Sequence, residues 1–239
     1  MPVSRRLLLF TKPARAGRVK TRLIGDLTAE QAAALHAAFL ADVLDRLRTG
    51  DFEVRIAWAL EEGEPAPQGP WPGVRQEGAD LGERLYRALS EGDAAAVAAL
   101  GSDHPTVSLD LIHDAFARVE AGADVAIGPA EDGGYYLIAL RSGAVSRRLF
   151  EDVAWSTDRV LAATLERCRE LGLKVELLPA AADVDTPEDL RRLAARMAGG
   201  DLGCPRTRDL LASLRLLPQG EESKIQNPKS KIEIAGRVA

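Results

Sequence analysis

The chain has 239 residues, of which 46% are hydrophobic, 28% are charged and 5% are aromatic, and its formal net charge is −5. This composition is typical of a globular protein, and the negative charge argues against non-specific nucleic-acid binding, which needs a basic surface. No apolar run approaches the ~18 residues of a membrane span. Cys168 and Cys204 lie far apart in sequence, and we expect two reduced thiols rather than a disulfide. They show no metal-binding spacing. We therefore expect a cytoplasmic protein with no nucleic-acid partner and no membrane span.

Apolar runs of strand length alternate with helical patterns along most of the chain. The predicted strands cover residues 6–10, 54–60, 94–100, 124–128, 135–140 and 174–178. One predicted helix begins at Thr28. Three others cover residues 108–120, 158–171 and 187–197, and a shorter one covers 206–217. This alternation predicts an α/β protein with three α/β/α layers and a mostly parallel mixed sheet.

Composition and periodicity along the chain also predict its domain organisation. We predict one domain over residues 1–218 and a disordered tail over 219–239, where the chain turns polar and loses its periodicity. Residues 61–73 contain four prolines and three glycines, which is typical of a surface loop. Such a loop serves either as a lid over a substrate or as a plain surface insertion.

A basic loop follows the first predicted strand. Its candidate nucleotide-binding residues are Lys12, Arg15, Gly17, Lys20 and Arg22. In open α/β sheets, ligands bind at the carboxyl ends of strands, and Lys and Arg beside a glycine suit a polyphosphate. The loop lacks both the P-loop pattern and the three-glycine dinucleotide pattern. If this loop is extended, Lys20 and Arg22 point the same way, toward a phosphate. A solvated surface loop is the alternative reading.

A second candidate is Asp103, which directly follows the predicted strand 94–100. A carboxylate at the end of a strand is well placed to bind Mg²⁺ or Mn²⁺ that phosphate oxygens also hold. The alternative is a helix cap, but Ser108 already supplies one for the next helix. For His104, a hydrogen bond within the turn is the default expectation.

A third candidate is the segment from Gly128 to Tyr136, where a proline, two acids, two glycines and two tyrosines crowd together. Gly133 and Gly134 allow close backbone approach to a ligand, although a tight turn also explains them. We predict substrate contacts from Glu131, Gly133, Gly134 and Tyr135, and a catalytic role for Asp132.

Two further segments contain candidates. Thr186, Pro187 and Asp189 form a helix start, which leaves Asp183 and Asp185 available for a cation. In the segment around residues 78–85, Gly82 offers room for a nucleotide base, although helix entry explains part of this pattern.

Taken together and in order, these motifs resemble a bacterial family of candidate glycosyltransferases of the GT-A superfamily. The family includes members associated with radical-SAM and selenium-related proteins. The resemblance rests on 10–23, Gly101-Ser102-Asp103-x-Pro105, 128–137, Trp155-Ser156-Thr157 and 183–190. It covers about residues 5–200.

This family is similar in fold to nucleotide-diphospho-sugar transferases and to the guanylyltransferases of phospholactate and molybdopterin. The resemblance implies a Rossmann-like nucleotide-diphospho-sugar transferase fold, with the nucleotide held by the loop after the first strand. It also implies a metal on the acid that matches Asp103, with Asp185 as a second ligand, as in sugar cytidylyltransferases. The chain departs from the usual Asp-x-Asp of metal-dependent glycosyltransferases, because it has Ser102-Asp103-His104.

These residues lead to three functional hypotheses. The first is a transferase that depends on Mg²⁺ or Mn²⁺ and moves a sugar from a nucleotide-diphospho-sugar to a small-molecule acceptor, with Asp132 as the base and Asp103 as the catalytic metal ligand. The second is a nucleotidyltransferase that joins a nucleoside triphosphate to a small phosphorylated acceptor. The third is a non-catalytic nucleotide-binding module. An oligomer is compatible with all three.

Overall fold

The seven strands of the described residues form one mixed sheet, in the order β3-β2-β1-β4-β6-β5-β7. The structure is a computed structural model that describes residues 4–218, so the predicted tail 219–239 lies outside the described residues. The strands are β1 (Arg5–Thr11), β2 (Glu53–Trp58), β3 (Gly73–Arg75), β4 (Ala96–Gly101), β5 (Val125–Pro129), β6 (Tyr135–Arg141) and β7 (Val175–Leu177). The helices are α1 (Ala29–Leu47), α2 (Leu81–Ser90), α3 (Leu109–Glu120), α4 (Val160–Glu170), α5 (Pro187–Gly199) and α6 (Pro205–Ser213).

Helices cover both faces of this sheet, and strand β1 shows why. Leu7 and Leu9 pack into a cluster with apolar residues of α1 and α3, whereas Leu8 packs with apolar residues of α2 and α4. Successive side chains of a strand point to opposite faces, so a strand buried on both sides is apolar throughout. The predicted three-layer α/β/α fold is confirmed.

The sheet is mostly parallel, and β6 is its antiparallel exception. It pairs in antiparallel fashion with both β4 and β5, while the β1–β2, β1–β4, β2–β3 and β5–β7 pairs are parallel. The short edge strand β3 was missed, because its three residues begin at the end of the predicted loop 61–73.

Predicted helix starts hold where the capping chemistry is local. Thr28 and Gln31 form a capping box at α1, and Thr186 and Asp189 form another at α5. Ser108 caps α3 through the N–H of Leu111, so Asp103 plays no part in that cap. Among residues 4–218, no helix is both long enough and apolar enough to cross a membrane.

Candidate active site

Two pockets open at the carboxyl ends of the parallel strands. The first, which we call the basic pocket, has a volume of about 540 Å³ and is lined by Lys12, Arg18, Lys20 and Arg84 among others. The second, the acidic pocket, has a volume of about 490 Å³, and its acidic lining residues are Asp103, Asp132, Asp158, Asp183 and Asp185. Leu81, Asp103, Ser156 and Asp185 line both pockets and so form their common wall.

Lys20 joins two acids at this wall. Its ammonium group lies 2.6 Å from Asp103 Oδ1 and 2.8 Å from Asp185 Oδ1, and it donates to the carbonyl of Val184 at 2.8 Å. Burial alone would lower the pKa of Lys20, but the attraction of Asp103 and Asp185 outweighs it and the pKa is raised. Three acceptors match the three N–H donors of an ammonium group. Lys20 therefore stays charged and has all its donors engaged.

The backbone around Lys20 differs from the extended loop on which the prediction depended. Lys20 adopts a left-handed conformation with φ of 47°, and a 3-10 turn over Thr21–Leu23 follows directly. As a result Lys20 is buried while Arg22 is exposed, and Arg22 lines the acidic pocket rather than the basic one. The expectation that Lys20 and Arg22 point the same way toward a phosphate is wrong.

Main-chain hydrogen bonds hold the acid-bearing segments together. The N–H of Val184 donates to the carbonyl of Asp103 at 3.2 Å, and the N–H of Glu131 donates to the carbonyl of Ala181 at 3.0 Å. Before α5, the N–H of Asp185 donates to Oδ2 of Asp189, the N3 acid of the capping box of that helix. The backbone of these segments is therefore held by hydrogen bonds that do not use the side chains of Asp103, Glu131 or Asp185.

His104 belongs to this framework. Its Nδ1 lies 2.9 Å from the carbonyl oxygen of Ala182, and its ring packs on Tyr136 with 4.8 Å between centroids. Burial lowers the pKa of His104, so the ring is neutral near pH 7 and Nδ1–H donates to the carbonyl. The expected hydrogen bond within the turn is thus instead a bond to the distant segment that contains Asp183.

His36 of α1 lines the basic pocket and was missed in the sequence. Its Nε2 lies 3.1 Å from both the carbonyl of Lys12 and Oγ1 of Thr11, and its Nδ1 is 3.9 Å from Asp103 Oδ1. Burial lowers the pKa of His36, against the opposing effect of Asp103. A neutral imidazole that donates from Nε2 to Lys12 leaves Nδ1 as an acceptor. The only sequence signal was a histidine at position 36 on the mostly apolar face of α1.

Asp183 is the most perturbed acid of the site. Burial, followed by the nearby charges of Asp132, Asp103 and Asp185, raises its pKa to about 7, although Lys20 opposes the shift. Carboxylates crowded in this way are oxygen donors of the kind that Mg²⁺ and Mn²⁺ prefer, and a cation would relieve their repulsion. The side chains therefore fit a divalent cation in their chemistry. Within residues 4–218, however, no three potential ligands are already gathered for coordination.

The remaining basic residues divide between the basic pocket and the neighbouring loop. Arg15 pairs with Glu64 at 2.5 Å and does not line the basic pocket, and Arg18 pairs with Glu61 at 3.1 Å. Both acids belong to the predicted loop 61–73, which therefore contacts the basic loop directly. Gly17 forms the turn between these arginines with φ of 74°. Of the four predicted phosphate ligands, Lys12 and Lys20 line the basic pocket, and Arg84 of α2 joins them.

The turn between β5 and β6 brings Asp132 to the acidic pocket. Its Oδ1 accepts the N–H of Gly134 at 2.9 Å. A Cβ on Gly133 would lie 2.2 Å from the carbonyl oxygen of Asp158, so this glycine serves close backbone packing rather than ligand contact. Gly134 lines the acidic pocket, whereas the exposed Glu131 lies outside it and pairs with Arg192 at 3.7 Å.

Two other predicted contacts have structural explanations. Tyr135 lines the acidic pocket, but its hydroxyl is buried, and burial raises the pKa of the phenol. Gly82 is buried, and a Cβ there would lie 2.4 Å from the carbonyl of Phe150 and 2.8 Å from Trp155 Nε1. The close approach of Trp155 and Phe150 accounts for Gly82, and we replace the predicted base contact with this packing role.

The fold is similar to that of nucleotide-diphospho-sugar transferases and cytidylyltransferases in solved structures. A candidate nucleotide-diphospho-sugar transferase from Desulfovibrio desulfuricans G20 matches with a TM-score of 0.83 and 31% identity, over 89% of this chain and 96% of that one. A cytidylyltransferase from Leptospira borgpetersenii has a TM-score of 0.55 and 13% identity, over 90% and 97% of the two chains. A CMP-2-keto-3-deoxy-manno-octonic acid synthetase in complex with CTP has a TM-score of 0.52 and 15% identity, over 82% and 99%. The last two likenesses show the fold.

The family follows from two matches. Residues 47–157 match the model of DUF2064, described as an uncharacterized protein conserved in bacteria. Together with the identity to the Desulfovibrio protein over nearly its whole length, this match shows that the chain belongs to this bacterial family. The resemblance found in the sequence is confirmed. No curated protein matches the chain significantly.

Proposed function

We propose that the protein is a metal-dependent glycosyltransferase that uses a nucleotide-diphospho-sugar. The observation that carries the proposal is the meeting of a basic and an acidic pocket at Asp103 and Asp185. A transferase needs a donor site and an acceptor site that open on one reaction centre. The anionic donor suits the basic pocket, and the acceptor suits the acidic one.

The donor diphosphate would lie along the basic pocket. Lys12, Arg18 and Arg84 line it, and their cationic groups suit phosphate oxygens. Lys20 lies deeper and is held by Asp103 and Asp185, so its contribution is to fix these carboxylates and to place a positive charge beneath the diphosphate. Charge set in place before the reaction stabilises the leaving diphosphate without reorganisation.

Asp103, Asp183 and Asp185 are the residues that would hold Mg²⁺ or Mn²⁺. When bound, the ion supplies positive charge to the diphosphate as negative charge develops on it. The donor chemistry of these side chains and their mutual crowding support this assignment.

Asp132 is the proposed base, since its carboxylate is exposed and lines the acidic pocket. The acceptor atom forms a bond to the anomeric carbon of the sugar, and the bond from that carbon to the diphosphate oxygen breaks. The bonding electron pair leaves on the nucleoside diphosphate, and the acceptor proton passes to Asp132. The N–H of Gly134 holds Oδ1 of Asp132, which orients the carboxylate.

One observation favours nucleotidyl transfer as a second candidate. The second acid that Asp-x-Asp would place two residues after Asp103 is absent, because Pro105 occupies that position. Asp185 instead lies near Asp103, as the resemblance to sugar cytidylyltransferases implies. In this reaction an acceptor phosphate oxygen bonds to the α-phosphorus of a nucleoside triphosphate, and the bond to the leaving pyrophosphate breaks.

Product analysis tests both candidates. The protein is incubated with a panel of nucleotide sugars and, separately, of nucleoside triphosphates, each with Mg²⁺, with Mn²⁺ and with chelator. Glycosyl transfer predicts metal-dependent release of nucleoside diphosphate from a nucleotide sugar, and nucleotidyl transfer predicts release of pyrophosphate. Tight nucleotide binding with neither product would favour a non-catalytic module, and the absence of any nucleotide binding would contradict all three readings.

A further inference from the structure

We infer that the acidic pocket binds an acceptor without negative charge, through a hydroxyl or amino group, and excludes phosphorylated acceptors. The inference rests on the proposed function, because it assigns the acceptor side of the same site. It goes further in naming the chemistry of the molecule that receives the transferred group.

The lining of the acidic pocket is strongly negative. Its acidic lining residues are Asp103, Asp132, Asp158, Asp183 and Asp185. Among the residues that the structure describes, Arg22 is the one basic side chain in this lining. Even with Lys20 and a divalent cation added to Arg22, the positive charges do not exceed the negative ones. A phosphate group entering here meets like charge and is disfavoured, whereas a hydroxyl or an amine finds hydrogen-bond acceptors.

Two aromatic residues, Trp155 and Tyr135, form part of the pocket wall. Trp155 lines it and packs edge-on against Tyr135, with 6.4 Å between ring centroids and an interplanar angle of 81°. Gly82 lets Trp155 approach α2 closely, as the position of its missing Cβ shows. An aromatic ring among carboxylates suits the C–H face of a polyhydroxylated ring or an amine cation.

Ser156 separates the acidic pocket from the basic one. It lines both pockets and has φ of 64°, a left-handed conformation that a serine rarely adopts. The neighbouring Thr157 hydroxyl donates to the carbonyl of Ala154 at 2.6 Å and accepts the N–H of Arg159 at 3.3 Å, which fixes the turn. The strained residue thus lies where donor and acceptor would meet.

Trp155 provides a direct probe of the pocket. The chain has three tryptophans, so replacing Trp58 and Trp71 with phenylalanine leaves Trp155 as the single emitter. Its fluorescence is quenched by caesium, by iodide and by neutral acrylamide at constant ionic strength. A negative pocket predicts a clearly larger quenching constant for caesium than for iodide.

Asp158 supplies the variant and Glu151 its matched control. Both are exposed acids on the segment before α4, but only Asp158 lines the acidic pocket. Asp158→Asn should lower the caesium-to-iodide ratio by about twofold or more, and Glu151→Gln should leave it unchanged. Equal quenching by the two ions in the parent protein would overturn the inference, whether or not the protein proves to be a transferase.

Matched acceptor pairs provide the functional readout. Glucose and glucose 6-phosphate, and glycerol and glycerol phosphate, are compared for stimulation of nucleoside diphosphate release from the accepted donor. Each neutral member should stimulate release at least about tenfold more than its phosphate. A phosphorylated member that stimulates equally or better would overturn the inference while leaving the transferase activity standing. If no donor is cleaved at all, the proposed function fails and the quenching result decides the charge of the pocket alone.

Discussion

The ammonium group of Lys20 lies 2.6 Å from Oδ1 of Asp103, and the lysine side chain is only 2% exposed. The same group also binds Asp185 and the carbonyl of Val184. Lys20 thus neutralises part of the charge of both carboxylates through their Oδ1 atoms. The interaction links the loop after β1 to the segment before α5, which are 165 residues apart in sequence.

Replacing Lys20 with Met tests this interaction. The variant keeps the length of the side chain but leaves three acceptors without their donor, so we expect the free energy of unfolding without metal to fall by about 1–3 kcal/mol. Because Mn²⁺ can then take the place of the ammonium group, Mn²⁺ alone should raise the melting temperature of the variant more than that of the parent. Lys12→Met, an exposed cation of the same loop, is the control. Equal responses of parent and Lys20→Met to Mn²⁺ would contradict this role.

Variants of Arg84 and Arg22 show which of the two pockets binds the nucleotide. Arg84 lines the basic pocket, so Arg84→Ala should weaken nucleotide binding by tenfold or more, since a charge-assisted contact contributes about 1.5–3 kcal/mol. Arg22→Ala should leave nucleotide affinity nearly unchanged, because Arg22 lines the acidic pocket. Isothermal titration calorimetry measures both. A larger loss of affinity in Arg22→Ala than in Arg84→Ala would show that the nucleotide binds in the acidic pocket, which would contradict the assignment.

Gly82 tests the packing of Trp155. A Cβ at this position would lie 2.4 Å from the backbone carbonyl of Phe150, which cannot move without its chain. We expect Gly82→Ala to lower the free energy of unfolding by about 1–3 kcal/mol and to shift Trp155 fluorescence. At Gly69 a Cβ would have nothing within 4 Å, so Gly69→Ala is the control. An unaffected Gly82→Ala protein would reopen the base-binding interpretation.

Asp189 gives a pH dependence with a definite sign. Burial alone would raise its pKa, but hydrogen bonds from Thr186, Arg192 and the N–H of Asp185 hold it at about 2. Since the pKa is lower in the folded state than the ~3.9 of an unfolded chain, Asp189 stabilises the fold above pH 4, and this stabilisation is lost as the pH falls toward 2.

Asp189→Asn should therefore cost about 1 kcal/mol near neutral pH, as the loss of a helix cap does, and the difference from the parent should shrink between pH 4 and 2. Urea unfolding at several pH values measures it. Glu188→Gln removes a neighbouring exposed acid and is the control. A difference that grows on acidification would show that the capping box does not hold the charged form of Asp189.

Part of the site was predictable because it depends on strand ends. Asp103 follows β4 and Asp185 precedes a helix whose cap uses other residues, so both acids were expected at one edge of the sheet. Other features depend on contacts between distant segments. The bonds of Lys20 to Asp185 and of Arg15 to Glu64 need the folded positions of two loops, and charge type alone does not distinguish a phosphate ligand from an ion pair.

The roles of Gly82 and His36 were hard to predict from the sequence, because they too depend on contacts with distant residues. Gly82 reads equally as space for a ligand or as space for a side chain, and only the position of Trp155 decides. His36 on an apolar helix face reads as an ordinary core residue until its Nδ1 is found 3.9 Å from Asp103.

In the proposed mechanism a divalent cation joins the nucleotide to Asp103, and calorimetry measures this coupling. Nucleotide affinity is measured with Mg²⁺ or Mn²⁺ and with chelator, for the parent, for Asp103→Asn, for Asp185→Asn and for a control variant. The control is Asp93→Asn, an exposed loop acid that precedes β4, whereas Asp103 follows this strand. We predict that metal raises the nucleotide affinity of the parent and of Asp93→Asn by about tenfold or more. Asp103→Asn should abolish this gain, and Asp185→Asn should reduce it. Identical affinity of the parent with metal and with chelator would contradict the account.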